Sequence, residues 1–208
     1  MKYPNLNEER KIWKKGYSFA FGLDEAGRGP LAGPVVAAAV CIDKNVNLKI
    51  NKFFREVNDS KKLTAKKREE LYEKITKNLG VKWGIGVVSE KVIDKINILE
   101  ATKLAMKKAI DNLKIEKGKT YLLLDGNFKL NIDMPQKSII KGDQKVLSIA
   151  TASIIAKVYR DKLMIKLHKK YPQYGLDKHK GYGTAHHYQM IKKHGPLVIH
   201  RKSFNLFI

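Results

Sequence analysis

Apolar residues gather along the chain into short continuous runs, separated by stretches in which they recur every third or fourth position. Tyr17–Leu23 reads as a buried strand and Val35–Ile42 as a second, with a Gly/Pro turn between them that suggests a hairpin. Residues 1–16 are polar and read as a helix or arm. From Thr64 to Leu79 the pattern predicts an amphipathic helix with Leu71, Ile75 and Leu79 on one face and Gly80 as its stop. Val81–Val88 is a third strand, and Asn97-Ile-Leu-Glu100 has the spacing of a capping box opening a helix to about Asn112. Tyr121–Leu124 and Ser138–Ile140 predict two short strands. Val146–Val158 is apolar or small on every side, as in a helix buried all round, and its Ala and Ser residues allow close approach to a sheet. Lys162–Tyr171 continues it, and Thr184 caps a last helix ending near His194-Gly195-Pro196. With no internal repeat and no long linker, the order of elements predicts an α/β fold, a mixed sheet of about five strands with helices on both faces.

Composition narrows the class. A chain of 208 residues, 43% of them apolar, has material for one sizeable core. Lys and Arg number 42 against 20 Asp and Glu, a net charge of +22, and the natural counterpart is a polyanion such as nucleic acid. A Lys-, Asn- and Ile-rich composition accounts for part of the lysine but not for the scarcity of acids. Cys41 is the only cysteine, which excludes disulfide frameworks and cysteine-based zinc sites, and its apolar surroundings predict a buried, inert thiol. No run reaches the ~18 apolar residues of a membrane helix, and the polar N-terminus lacks an apolar signal core, so a cytoplasmic protein is expected.

The acidic residues fall at the ends of the apolar runs: Asp24 and Glu25 after the first, Asp125 after Leu122–Leu124, Asp143 after Ile139–Ile140. Ligands of open α/β sheets gather at strand ends, so these acids can converge. Adjacent carboxylates repel each other and lose solvation when partly buried, and a bound cation keeps both ionised. Side chains alternate along a strand, so Glu25 is expected to join Asp24 only if the backbone turns there, as the following glycines allow. The four acids make a hard, all-oxygen donor set suited to Mg²⁺ or Mn²⁺ rather than zinc. Singly, each has a plainer role: Asp125-Gly126-Asn127 as a turn, Asp143 as a cap for the buried helix. Behind the first pair, Gly27-Arg28-Gly29 sets bare backbone N–H groups beside a guanidinium, a combination suited to phosphate and sugar oxygens. The histidines add nothing to a metal site: His186 and His187 face different directions on a predicted helix. His179, His194 and His200 lie near basic residues and are expected to be solvated or to contact phosphate. HExxH, Walker and dinucleotide patterns are absent, and neither Ser60 nor Ser153 sits in a nucleophile elbow.

GLDEAGRGPLAGPVVAAAV at 22–40, DSKKLTAKKRE at 59–69 and LLLDGN at 122–127 are followed by KGDQKVLSIATASIIAKVYRD at 141–161, HKGYGTAHH at 179–187 and HRKSF at 200–204. In this order, and spanning nearly the whole chain, they resemble the bacterial type 2 ribonucleases H, the ribonuclease HII family. The resemblance implies a single catalytic domain: a ribonuclease H-like core over about 17–165 and a C-terminal helical, substrate-binding extension over about 166–208. It implies Asp24, Glu25, Asp125 and Asp143 as the catalytic, metal-binding acids for two Mg²⁺ or Mn²⁺ ions. Gly27, Arg28 and Gly29 would sense a ribose 2′-OH, and Tyr182 would pack on the sugar at an RNA–DNA junction. Ser60 and Lys61 would contact phosphate, with Asp59 structural. Gln144 departs from the smaller residue expected beside a ligand, which puts metal affinity in question. The sister ribonuclease HIII family carries an extra N-terminal domain, for which the early position of Asp24 is expected to leave no room.

The implied activity is hydrolysis of the RNA strand of RNA–DNA hybrids, and incision 5′ of ribonucleotides embedded in duplex DNA, leaving 3′-hydroxyl and 5′-phosphate ends. A monomer serving ribonucleotide excision repair is expected, and a sliding-clamp or repair-protein contact is not legible. Two alternatives stand beside this: another ribonuclease H-fold nuclease acting on DNA, which needs no 2′-OH sensor, and a basic nucleic-acid-binding module whose acids only cap and turn.

Overall fold

The computed structural model describes residues 3–46, 52–57, 63–113 and 115–207. Strands β1 (Phe19–Ala26), β2 (Val35–Ile42), β3 (Val81–Val88), β4 (Thr120–Asp125) and β5 (Gln136–Ile139) form one five-stranded sheet in the order β3-β2-β1-β4-β5. The expected hairpin is present: β1 pairs antiparallel with β2, and β3 antiparallel with β2. β4 and β5 join in parallel, which makes the sheet mixed. β2 is buried along its whole length, which is why VVAAAVCI shows no alternation, whereas β3 alternates as an edge strand should.

The helices are α1 (Asn7–Lys14), α2 (Ala65–Thr76), α3 (Glu90–Asp111), α4 (Leu147–Lys170), α5 (Leu176–His179) and α6 (Ala185–His194). α3 covers one face over Phe21, Leu23, Ala37, Ala39, Leu122 and Leu124. α4 and α2 cover the other over Ala38, Val40 and Ile42. As predicted, the first half of α4 is buried all round: every residue from Leu147 to Ala156 is buried. It approaches β1 so closely that a Cβ on Gly22 would lie 2.3 Å from the Ile149 nitrogen, so only glycine fits there. After α4, the chain folds back and packs Tyr174, Leu176, Ile191 and Ile199 onto Leu31 and Ala32 of the β1–β2 loop.

Besides β1, expected over Tyr17–Leu23 and instead running from Phe19 to Ala26, three elements differ from expectation. α2 ends at Thr76, a turn before Leu79; that residue leaves the apolar face and is fully exposed, while Leu71 and Ile75 are buried. The helix expected to open at Asn97 begins earlier, after Ser89, and Asn97 (φ 63°) is a kink inside it. The Asn97 side chain still accepts from the Leu99 and Glu100 N–H groups, so the cap is real and serves the second segment of one continuous run. β5 sits slightly earlier than expected, leaving Ile140 exposed. No helix among the described residues is long and apolar enough to cross a membrane.

Candidate active site

β4 pairs with β1 only as far as Leu23↔Leu124, whereas β1 runs on against β2 to Ala26. The acids gather where the sheet opens at this rim. Asp24 lies opposite Ala38 and so faces α4; it is 5% exposed, and its carboxylate accepts from the Ser153 hydroxyl and, at 2.7 Å, from the Glu25 N–H. Glu25, opposite Ala37, faces the other side, with Oε1 3.5 Å from the Arg28 guanidinium. The backbone turn expected between the two is therefore absent. The strand continues through both, and the turn comes at Gly27 (φ +99°). Asp125 ends β4, and its Oδ1 accepts from the Gly142 N–H at 2.7 Å. That bond ties β4 to the 3₁₀ turn Gly142–Gln144, in which Asp143 is buried. Asp143 does not cap α4, whose N-cap is Val146. All four acids line one cleft of about 350 Å³, together with Gly27, Arg28, Gly29, Ser153, Lys157 and Tyr182. Gln144, next to Asp143 in the chain, is half-buried.

Burial, then the nearby Glu25 and Asp125 carboxylates, hold the Asp24 carboxyl well above the usual carboxylate range, against the Ser153 hydroxyl and Glu25 amide. A cation relieves such repulsion directly, and the donors are all oxygen, as Mg²⁺ or Mn²⁺ requires. Among the described residues no three acid, histidine or cysteine side chains already enclose a single point. An open acidic wall of this kind suits ions that complete their shells with water and substrate phosphate. Lys157, paired with Asp161 at 2.8 Å, adds positive charge to the cleft.

Two residues that the sequence reading passed over build the loop beyond the acids. Arg160 donates to the Pro34, Lys180 and Ala32 carbonyls at 2.9, 3.0 and 3.2 Å. Arg201 donates to the Gly27, Arg28 and Gly33 carbonyls at 2.6, 2.8 and 2.9 Å. Both are buried, which lowers the Arg160 guanidinium to about 10 and that of Arg201 to about 9. A signal for Arg160 existed: it continues the i+4 row Ala152, Ala156, Arg160, Met164, buried throughout. A Cβ on Gly27 would lie 2.0 Å from Arg160 Nε, whereas one on Gly29 would meet only the Tyr182 ring at 3.7 Å. Tyr182 itself is 46% exposed on the cleft wall. Ser60 and Lys61 lie outside the described residues, as does Asp59.

The histidine expectation is corrected. His194 is exposed, but His200 is buried, and its Nε2 sits 3.1 Å from His187 Nε2. His179 is half-buried, with Nε2 bonded to the Tyr174 carbonyl and Nδ1 accepting from the Gly181 N–H. His186 and His187 do face apart, one exposed and one buried. The His179, His187 and His200 rings are spent on holding the 179–183 turn rather than on solvent or phosphate, while His194 stays exposed as expected.

A family model for ribonuclease HII matches residues 21–207. The ribonuclease HII of Chlamydia trachomatis serovar A is 55% identical over 205 residues, covering 96% of this chain and 90% of the relative. That of Caldicellulosiruptor bescii is 52% identical over 196 residues, covering 94% and 91%. Among solved structures, ribonuclease H2 from Pyrococcus horikoshii superposes with a TM-score of 0.72 at 30% identity, over 90% of this chain and 94% of that one. The Archaeoglobus fulgidus ribonuclease HII, solved as a complex with PCNA, gives 0.72 at 27% identity, over 89% and 95%. With the mixed sheet and the acidic cleft in place, the chain belongs to the ribonuclease HII family, metal-dependent endoribonucleases with ribonuclease H activity on RNA–DNA hybrids.

Proposed function

We propose that this cleft also incises duplex DNA on the 5′ side of a single embedded ribonucleotide, leaving 3′-hydroxyl and 5′-phosphate ends, as a first step of ribonucleotide removal in the cytoplasm. The observation that carries the proposal is the shared wall: the four acids, Gly27-Arg28-Gly29 and Tyr182 border the same cleft. Asp24, Glu25, Asp125 and Asp143 would hold two Mg²⁺ or Mn²⁺ ions. The chemistry such ions supply is activation of the attacking water and neutralisation of charge on the leaving 3′-oxygen. Ser153 holds the Asp24 carboxylate toward the cleft, and the Gly142 amide does the same for Asp125. Arg28, already beside Glu25, would meet a backbone phosphate, with Lys157 lining the same cleft. The amides of the 27–29 loop reach a ribose 2′-OH without reading a base. The Tyr182 ring packs on the following sugar, where a second 2′-OH would crowd it. Other Lys and Arg residues of the +22 surface hold phosphates irrespective of sequence.

The test is a duplex DNA carrying one ribonucleotide, assayed with Mg²⁺ or Mn²⁺ beside the same duplex in DNA alone. The expected result is one incision 5′ of the ribonucleotide and an intact control. Equal cutting of the all-DNA duplex would assign the cleft to a DNA nuclease, and binding without cutting would leave a basic binding module.

A further inference from the structure

We propose that Arg201 is a positioning residue for ribose recognition: it orients the 27–29 peptide planes, so the C-terminal segment helps set how strictly the enzyme discriminates ribose. The inference rests on the proposal that this loop senses the 2′-OH. A single guanidinium engages three loop carbonyls, Gly27, Arg28 and Gly33, through Nε and both terminal nitrogens. Peptide groups are planar and trans, so a carbonyl and the following N–H point in opposite directions. Pinning the Gly27 carbonyl inward turns the Arg28 N–H outward, and pinning the Arg28 carbonyl does the same for the Gly29 N–H. Both residues line the cleft, and among the described residues neither amide donates to a backbone carbonyl. They are the two donors a 2′-OH would meet.

The clamp is itself anchored. Arg201 is fully buried, its guanidinium carbon 5.0 Å from the centre of the Phe204 ring. Its own N–H donates to the Leu31 carbonyl at 2.8 Å, and the Gly33 N–H donates to Ile199 at 2.9 Å. On the far side, Asp94 of α3 accepts from the Lys202 N–H at 3.0 Å and from the Ser203 N–H and hydroxyl at 2.9 and 2.7 Å. A continuous bonded path thus runs from α3 through residues 201–203 to the two outward amides. Only a planar fork can hold diverging carbonyls in this way; a lysine carries the same charge on a single point. A guanidinium kept only to neutralise an acid would sit against a carboxylate, whereas every hydrogen bond of Arg201 goes to a carbonyl.

The experiment compares the full-length parent with Arg201→Lys and Asp94→Ala on three duplexes: one embedded ribonucleotide, an RNA–DNA hybrid, and DNA alone. Amide hydrogen exchange of the 27–33 loop and of β2 is followed in parallel. For Arg201→Lys we expect kcat at the embedded ribonucleotide to fall at least ~10-fold with duplex Kd unchanged. Loop exchange should rise while β2 protection stays parental. Asp94→Ala should show a smaller fall of the same kind, and it decides the matter if Arg201→Lys does not fold. Parental kcat in a folded Arg201→Lys or Asp94→Ala protein would overturn the proposal, as would loop and β2 protection lost together, which marks a role in stability alone. A parent that cuts DNA alone as well as the ribonucleotide duplex would instead overturn the 2′-OH reading on which the proposal rests.

Discussion

Gly27 and Gly29 flank Arg28 symmetrically in the sequence, yet they are glycines for different reasons. Gly27 has φ +99° and no room for a Cβ against Arg160, so Gly27→Ala is expected to lower stability by on the order of 2 kcal/mol or more, seen as a fall in Tm before any substrate is added. A Cβ on Gly29 would meet only the Tyr182 ring, at an ordinary contact distance of 3.7 Å, so Gly29→Ala should melt like the parent and lose cleavage instead. A parental Tm for Gly27→Ala, or parental cleavage by Gly29→Ala, would contradict these roles. Tyr182→Ala, which removes an exposed ring from the cleft wall, is expected to slow cutting at an embedded ribonucleotide by about 10-fold, or ~1.4 kcal/mol of transition-state stabilisation. Unchanged kinetics on that substrate would remove the tyrosine from the junction contact. The four acids and Gly27-Arg28-Gly29, marked in the sequence by their own motifs and lining one cleft in the structure, are the legible part of the candidate site. The reason Gly27 must be glycine is not, because the atom that excludes its Cβ belongs to a helix far along the chain.

The elements follow the apolar runs wherever burial is complete: β2 and the first half of α4 are read correctly because both faces of each are covered, whereas β1 runs three residues past its apolar run, through the acids. Misreadings occur where a tertiary contact decides. Glu9 of α1 accepts from the Ser148 N–H at 2.9 Å, serving the start of α4 from outside that helix, and no local pattern announces this. The 179–187 turn is the second case. The Leu197 N–H donates to His200 Nδ1 at 2.8 Å, which leaves the His200 proton on Nε2 to be donated to His187 Nε2. His187 Nδ1 in turn donates to the Tyr182 carbonyl at 2.9 Å. Both rings are neutral in this relay, and burial pushes His187 down to about 4. The unfolded chain, with a histidine near 6.5, therefore binds the proton more readily than the folded one. Stability from this group is full above about pH 6.5 and is lost as pH falls toward 4, by up to about 3 kcal/mol. Urea unfolding of the parent and His187→Gln at pH 7 and pH 4.5 checks the sign. The variant should show the smaller acid loss, and equal losses would contradict the relay.

At the scale of the whole molecule, a carboxylate cleft sits in a protein of net charge +22, and the two charges have different tasks. The basic surface predicts duplex binding that weakens steeply with salt, with a slope near −0.9 for each phosphate neutralised on B-form DNA. A titration in which affinity barely moves between 50 and 200 mM salt would contradict it. The acids are expected to contribute catalysis rather than affinity, and Asp125 separates the two tasks most cleanly. Its Oδ1 bond to the Gly142 amide can be kept by the oxygen of an asparagine, so Asp125→Asn preserves the turn while removing the charge. The most direct test of the account is therefore Asp125→Asn with Mg²⁺ or Mn²⁺ on an RNA–DNA hybrid, with binding and cleavage measured on the same sample. Near-parental affinity, a parental fold and no detectable cleavage are expected; near-parental cleavage by the folded variant would contradict the four-acid centre.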